Sequence, residues 1–174
     1  MAKVTKLAVA MAESVGAPVA LSKDHDTGKF FSGKTPLDDW LKRRALKAEG
    51  NTARTYVVCS GNDVVGYYSL ANGSVGRDKA PKKLQRNAPE QIPVIIVARL
   101  AVDQRCHGQG IGSGLLQEGL RRALDVSVIV GVQAVLVHAI DDAARAFYQK
   151  YDFIEFPSGT NTLFLPISSI AKVL

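Results

Sequence analysis

The sequence has few cysteines and no long uninterrupted hydrophobic run. Its two cysteines, Cys59 and Cys106, form neither a disulfide framework nor a closely spaced metal-binding pair. They predict a cytoplasmic protein without a structural metal. No segment is apolar for long enough to cross a membrane, so we expect no membrane association. The short apolar run near the N-terminus is interrupted by Glu13, which argues against a signal peptide.

Acidic residues are scarce relative to basic ones. The chain has 22 lysines and arginines against 16 aspartates and glutamates, a net charge of +6. This excess favours an acidic partner, such as nucleic acid, a phosphorylated ligand or an anionic protein, without choosing among them. The length of 174 residues fits one compact domain. We expect a poorly ordered lead-in over residues 1–20, a single domain over 21–167 and a tail over 168–174.

The pattern of apolar residues predicts an α/β chain with mixed strands. A helix is expected to start at Thr35-Pro36, with Thr35 as its N-cap, and to end near Gly50. Hairpins are expected over residues 55–71 and 153–167, and a buried strand over 134–139. One face of the first helix carries four cations, which form either a solvated surface or a surface that tracks a polyanion: Lys42, Arg43, Arg44 and Lys47.

Residues 72–92 show no convincing period. Loops of this length in a compact domain are usually functional or disordered. The segment is rich in cations, namely Arg77, Lys79, Lys82, Lys83 and Arg86. It is therefore either a mobile solvated insertion or an anion-binding arm that becomes ordered on its partner.

A strand, a glycine-rich turn and a helix follow one another from residue 93 onward. Residues 93–102 are almost continuously apolar, as expected for a central strand. Arg99 is the exception, and it is either part of a core ion pair or a cation that faces the substrate. Consecutive amides in the glycine turn, residues 105–113, can surround an anion ahead of the helix. A Walker A loop is excluded because Ser113 and Gly114, not Lys-Ser/Thr, follow Gly112.

Two motifs in this order resemble the GNAT family of N-acetyltransferases. They are Arg105-Cys106-His107-Gly108-Gln109-Gly110 and Ala144-Arg145-Ala146-Phe147-Tyr148. The resemblance implies a splayed mixed β-sheet flanked by helices that uses acetyl-CoA. It also implies that Asp152, in place of the usual glycine, adopts a left-handed conformation after the second motif. The implied cofactor-binding residues are Leu100, Ala101, Val102, Arg105, His107, Gly108, Gln109, Gly110, Gly112 and Ser113.

Within that family, the sequence is similar to the TacT-like acetyltransferase toxins. The matching segments are residues 37–41, 53–59, 66–71, 92–95 and 98–103, together with the basic insertion. This resemblance implies acetylation of the free amine of aminoacyl-tRNA, a block of translation, a ribbon-helix-helix antitoxin and a homodimer. The implied tRNA-binding residues are Arg77, Lys82, Lys83, Arg86 and Arg99.

Amine acetylation needs a neutral amine and a proton for the departing thiolate. Tyr148 matches the family's general-acid tyrosine, the alternative being a tyrosine packed in the core. No carboxylate stands out as a general base, which fits an α-amine with a pKa of about 7.7 to 8.0 better than a lysine at about 10.4. His138 is either a proton relay or an ordinary strand histidine. Nothing favours Cys106 as a nucleophile, so we expect direct transfer.

Two other functions remain open from the sequence. One is an acetyltransferase for a small amine or a protein lysine, which predicts an acidic pocket for the cation. The other is a non-catalytic, acyl-CoA-responsive partner of a DNA-binding protein.

Overall fold

The computed structural model describes residues 15–157 and 159–174. Most of the predicted lead-in, residues 1–14, lies outside the described residues. The chain divides into two compact units, the first running up to Leu70 and including Arg99–Glu118, the second comprising Ala71–Ala98 and Gly119–Leu174. The assignment of residues 21–167 to one domain stays a prediction.

The fold is a mixed α/β arrangement, as the sequence predicts. The strands are β1 (Val19–Ala20), β2 (Arg54–Ser60), β3 (Asp63–Gly76), β4 (Gln91–Val102), β5 (Ala134–His138), β6 (Ile154–Glu155) and β7 (Thr162–Pro166). The α-helices are α1 (Thr35–Arg43), α2 (Ala45–Ala48), α3 (Lys82–Gln85), α4 (Ile111–Ile129) and α5 (Asp142–Gln149). The seven strands have the order β1-β2-β3-β4-β5-β7-β6, with β4 parallel to β5. No helix in the described part of the chain is both long and apolar enough to span a membrane.

Among the described residues of the first unit, β2 and β3 contribute to two core clusters, because side chains alternate between the faces of a strand. Val57 and Tyr67 belong to one cluster, which includes Trp40 of α1, while Val58 and Tyr68 belong to the other. The second cluster contains Ile111 and Leu115, from the first turns of α4. A Cβ atom at Gly66 would lie 2.9 Å from Val58 Cγ2 and 3.1 Å from Leu115 Cδ1. The absence of a side chain at Gly66 therefore lets α4 pack closely on β3.

The start of α1 differs from the prediction. Thr35 is its first helical residue rather than its N-cap, and Lys34 occupies the cap without a side-chain hydrogen bond. The preceding chain is held instead by buried Asp38, which accepts hydrogen bonds from the Ser32 amide at 3.0 Å and the Ser32 hydroxyl at 2.6 Å. The helix also ends early, because Arg44 leaves the helical conformation before α2 begins.

The segment over residues 72–92 is not the unstructured insertion expected from its sequence. Strand β3 continues to Gly76 and β4 begins at Gln91, so the connection is shorter than predicted. Helix α3 lies within it, and Ala80, Leu84 and Ala88 are buried in the core of the second unit together with Phe164. These three apolar residues recur at four-residue intervals, a helix-like signal that was hidden by the surrounding charges.

Both ends of the described chain carry more structure than expected. Val19 and Ala20, which the sequence places in the lead-in, pair with Val57 and Tyr56 of β2. Beyond residue 167, a 3-10 helix covers Ile167–Lys172, and Ile170 in it is fully buried. The structured region therefore extends past the predicted boundaries on both sides.

Candidate functional site

The turn between β4 and α4 is held in place by Asp103. This aspartate is 1% exposed, and it accepts hydrogen bonds from the amides of Phe31 at 3.0 Å and Arg105 at 2.9 Å. The Phe31 carbonyl in turn accepts the Gln104 amide at 2.8 Å, and the Asp103 carbonyl accepts the Cys106 amide at 2.9 Å. These bonds fix the first half of the turn and leave the amides of residues 108–112 without a partner among the described residues.

The second half of the turn presents free backbone amides ahead of a long helix. Within the part of the chain that the structure describes, the N–H groups of residues 108–112 have no hydrogen-bond partner, and the Gly114 amide donates to the Gly110 carbonyl. Gly108 and Gly110 have positive φ angles of 76° and 79°, which let successive amides converge. Because α4 is 19 residues long, its dipole favours negative charge here. This arrangement fits a pyrophosphate.

Arg105 does not belong to this set of free amides. Its amide donates to Asp103 Oδ1, and its guanidinium donates to both Asp103 oxygens at 2.9 and 3.0 Å. The hydrogen bond from the Arg105 side chain is the main reason that the pKa of Asp103 falls from 3.8 to about 2. The contact predicted between the Arg105 amide and a pyrophosphate is therefore replaced by an internal bond.

Other predicted residues near the turn have distinct surroundings. The His107 ring lies with Nε2 2.7 Å from the Val102 carbonyl oxygen, so it bonds to the end of β4. Leu100 and Val102 pack, half-buried, against the cluster that contains Ile111. Burial raises the pKa of the Cys106 thiol, which disfavours the nucleophilic thiolate.

Tyr148 lies in the second unit, on α5, which begins with the Asp141 side chain accepting the Ala144 amide at 2.8 Å. The tyrosine is 6% exposed, and its ring lies 5.3 Å from that of Phe147 and 5.5 Å from that of Phe153. Burial raises the pKa of Tyr148. Its hydroxyl has no hydrogen-bond partner among the described residues.

Asp152 and His138, both in the second unit, are the subjects of two further sequence predictions. Asp152 has a φ of 65°, the left-handed conformation expected where the family carries glycine. His138, at the end of β5, lies with Nδ1 3.0 Å from Thr162 Oγ1. This contact is what an ordinary strand histidine would make, and the relay role stays a prediction.

The basic residues predicted to bind tRNA fall into two groups. In the second unit, Lys82, Lys83 and Arg86 are exposed around buried Leu84. Arg77 belongs to the same connection between β3 and β4, and its guanidinium donates to the Ala88 carbonyl at 3.0 Å.

Arg99 is separate from that group, in the first unit. Its Cζ atom lies 4.2 Å from the centre of the Trp40 ring. It lines a cavity of about 530 Å³ with Arg43 and Arg44. Arg99 forms no ion pair with any residue in 15–157 or 159–174, which favours the alternative of a substrate-facing cation; that assignment stays a prediction. No pattern in the sequence connects Trp40 with Arg99, because 59 positions separate them and only the folded sheet brings them together.

A metal centre has no basis in the described residues. No group of three or more histidines, cysteines, aspartates or glutamates is placed to hold an ion there.

Comparisons with known proteins agree on one family. A family model described as an acetyltransferase (GNAT) domain matches residues 51–155. A tRNA-acetylating toxin of Mycobacterium tuberculosis (strain ATCC 25618 / H37Rv) is 44% identical over 139 residues, which cover 79% of this chain and 83% of the toxin.

The chain is also similar to solved structures of toxins. A structure of AtaT complexed with acetyl-methionyl-tRNAfMet has a TM-score of 0.82 and 28% identity, covering 90% of this chain and 98% of that one. A mutant AtaT toxin bound to the C-terminus of the antitoxin AtaR and acetyl-CoA has a TM-score of 0.78 and 26% identity, covering 91% and 97%.

Proposed function

Because the chain belongs to the acetyltransferase (GNAT) family and is an acetyl-CoA-dependent N-acetyltransferase, we propose that it is a toxin that acetylates the free α-amine of aminoacyl-tRNA and so blocks translation. The observation that carries this proposal is the 44% identity, over most of both chains, to a tRNA-acetylating toxin. The complex of AtaT with acetyl-methionyl-tRNAfMet supports the same acceptor.

The donor is held by the glycine turn in this proposal. Acetyl-CoA supplies the acetyl group as an activated thioester. The free amides of residues 108–112, with Ser113, bind the pyrophosphate, since they converge at the start of α4. The backbone of Leu100, Ala101 and Val102 flanks the pantetheine. His107 supports that strand end through its bond to the Val102 carbonyl.

Tyr148 is the general acid in this proposal. Burial disfavours its phenolate, so the hydroxyl keeps its proton at neutral pH and can donate it to the departing sulfur. The hydroxyl forms no hydrogen bond with any described residue, so it is available to the departing sulfur. The α-amino group has an ordinary pKa of about 7.7 to 8.0, and the adjacent ester of aminoacyl-tRNA lowers it further, so a substantial fraction of the acceptor amine is neutral at physiological pH. It attacks directly, without a strong base and without an acetyl-cysteine intermediate.

The basic residues bind the tRNA in this proposal. Lys82, Lys83 and Arg86 are exposed, and buried Leu84 holds the helix that presents them. Arg77 braces the segment, while Arg99 provides a separate cation in the first unit. We further propose a cytoplasmic homodimer that is neutralised by a ribbon-helix-helix antitoxin. The AtaT complex with the C-terminus of AtaR supports an antitoxin as partner.

The test is to incubate the protein with labelled acetyl-CoA and total charged tRNA, and to identify the labelled amino acid after nuclease digestion. Label on the α-amine of aminoacyl-adenosine is expected. Label that appears only on polyamines or protein lysines, with none on charged tRNA, overturns the proposal.

The tRNA surface has its own test. Replacing Lys82, Lys83 and Arg86 together with glutamine is expected to weaken tRNA binding. It should also make the slope of log affinity against log salt shallower by about 1 for each phosphate that the variant no longer neutralises. An unchanged slope, measured by fluorescence anisotropy, would mean that these residues form only a solvated surface.

A further inference from the structure

Three arginines line one cavity of about 530 Å³ in the first unit: Arg43, Arg44 and Arg99. None of them forms an ion pair with any described residue, and neither does Asp39, the one carboxylate in the lining. Partial burial lowers the pKa of Arg99, and the positive charge of Arg44 lowers it further. An anion in the cavity would relieve both effects.

Arg99 is held in place by an aromatic stack. Its guanidinium lies over the Trp40 ring at 4.2 Å, and Trp40 stacks on Tyr67 with 5.9 Å between ring centres. Tyr67 is fully buried, and its hydroxyl donates to the Leu37 carbonyl at 2.7 Å. Because Trp40 is only 8% exposed, little of its ring is available to stack on a nucleobase. The cavity therefore suits a charged group rather than a base.

Phosphate is the anion that this lining favours. The planar guanidinium group donates two parallel hydrogen bonds to a phosphate, and all three cations are arginines. The net charge of +6 adds a long-range attraction for a polyanion.

The position of the cavity distinguishes it from the glycine turn. Ala101 packs in the cluster that contains Trp40, whereas Leu100 and Val102 pack in the cluster that contains Ile111 of α4. Since Arg99 and Ala101 are two residues apart on β4, they share a face of the strand. Arg99 thus lies on the face of β4 opposite to the helix that follows the turn. This favours a phosphate of the acceptor over one of the donor.

We propose that Arg43, Arg44 and Arg99 form a phosphodiester-binding subsite for the RNA acceptor, with Trp40 as the positioning residue that holds Arg99. The identity of the acceptor rests on the proposed function. The 3′-phosphate of CoA offers the same chemistry, and an acidic protein segment is the competing occupant, so the experiment includes both.

The first measurement is the salt dependence of binding to uncharged tRNA. The variant Arg43→Gln/Arg44→Gln/Arg99→Gln is compared with Lys23→Gln/Lys150→Gln/Lys172→Gln, which removes the same charge from exposed positions outside the cavity lining. We expect the slope of log affinity against log salt to fall by about 2 to 3 in the cavity variant and by less than about 1 in the control. Equal slopes in the two variants overturn the proposal.

Two further titrations identify the phosphate source and the class of partner. We expect the cavity variant to bind acetyl-CoA like wild type. A weakening that is seen with acetyl-CoA but not with its 3′-dephospho analogue assigns the cavity to CoA and overturns the proposal. A polyglutamate peptide serves as the probe for an acidic protein segment. If the cavity variant loses binding of this peptide while its tRNA salt slope is unchanged, the cavity binds a protein segment and the proposal is overturned.

Kinetics separate this proposal from the proposed function. For charged tRNA, we expect Trp40→Leu and Arg99→Lys to raise KM by about tenfold or more at nearly unchanged kcat, because each removes fixed charge-assisted hydrogen bonds. Arg99→Lys keeps the positive charge and leaves the core side chains unchanged. If this variant has the same KM as the wild type, the proposed subsite is overturned. If wild-type protein acetylates no charged tRNA, the proposed function fails, while the salt slopes still decide the subsite.

Discussion

Asp103 organises the glycine turn, and its charge is predicted to stabilise the fold. Its carboxylate is buried and accepts the amides of Phe31 and Arg105 as well as the Arg105 guanidinium. These hydrogen bonds lower its pKa from 3.8 to about 2. A shift of this size corresponds to about 2 kcal/mol, and solvent screening of the half-exposed Arg105 side chain reduces the contribution to about 1 to 2 kcal/mol.

The sign of this effect sets its pH window. The pKa of Asp103 is lower in the folded chain than in the unfolded chain, so the folded state favours the ionised carboxylate. The stabilisation is fully present above the unfolded value of 3.8 and is lost as the pH falls from there through about 2.

The perturbation is Asp103→Asn, which keeps the size but removes the charge. The side-chain oxygen of asparagine can accept some of these hydrogen bonds. Its NH₂ group is itself a donor and would face an N–H group, so that hydrogen bond is lost. At neutral pH we expect the free energy of unfolding to fall by about 2 to 3 kcal/mol. Asp142→Asn is the control, because Asp142 is 90% exposed in its ion pair with Arg145 and its replacement should cost less than about 0.5 kcal/mol.

The assay is urea unfolding of the wild type and both variants at pH 7 and at pH 3, at constant ionic strength, with acetyl-CoA affinity measured in parallel at pH 7. The stability gap between wild type and Asp103→Asn should narrow at the lower pH, and the variant should bind acetyl-CoA more weakly. Wild-type stability of Asp103→Asn at pH 7, or a gap that does not narrow, would refute the reasoning.

Three further predictions concern the other parts of the site. Tyr148→Phe should lower kcat for acetyl transfer by about 10²- to 10⁴-fold while calorimetry shows unchanged acetyl-CoA affinity, and full activity would remove the general-acid role. Gly108→Ala should cost about 1 kcal/mol and weaken acetyl-CoA binding by about fivefold because φ is 76°, whereas Gly114→Ala, whose Cβ would have no atom within 4 Å, should bind normally. Leu84→Ala should lower the free energy of unfolding by about 2 to 5 kcal/mol and speed hydrogen exchange over residues 77–90, since Leu84 is 4% exposed; unchanged exchange would contradict its anchoring role.

Local signals in the sequence predicted the elements that local physics controls. The apolar run of β4, the glycine turn after it and the hairpin of β2 and β3 all follow from periodicity and turn residues. Asp152 in the left-handed conformation follows from the family pattern and from the tolerance of aspartate for that conformation.

Competition between nearby groups could not be predicted in the same way. The sequence predicts that the Arg105 amide contacts a ligand. In the structure, both that amide and the guanidinium donate to Asp103. The Asp103 carboxylate is itself held by the amide of Phe31, which lies in a distant part of the chain. The cavity beside Arg99 likewise depends on the register of β4 against elements formed by earlier residues. Such interactions are tertiary, and a linear pattern does not contain them.

The stack of Arg99 on Trp40 also gives the protein an intrinsic fluorescence signal at this cavity. Trp40 is the single tryptophan of the 174 residues, so intrinsic indole emission arises from one place. That place carries a guanidinium 4.2 Å from the ring centre. A ligand that draws Arg99 away from the ring changes the electric field at the indole and shifts the emission. The protein therefore contains its own unlabelled reporter for events at this cavity, which allows stopped-flow measurements without an attached dye.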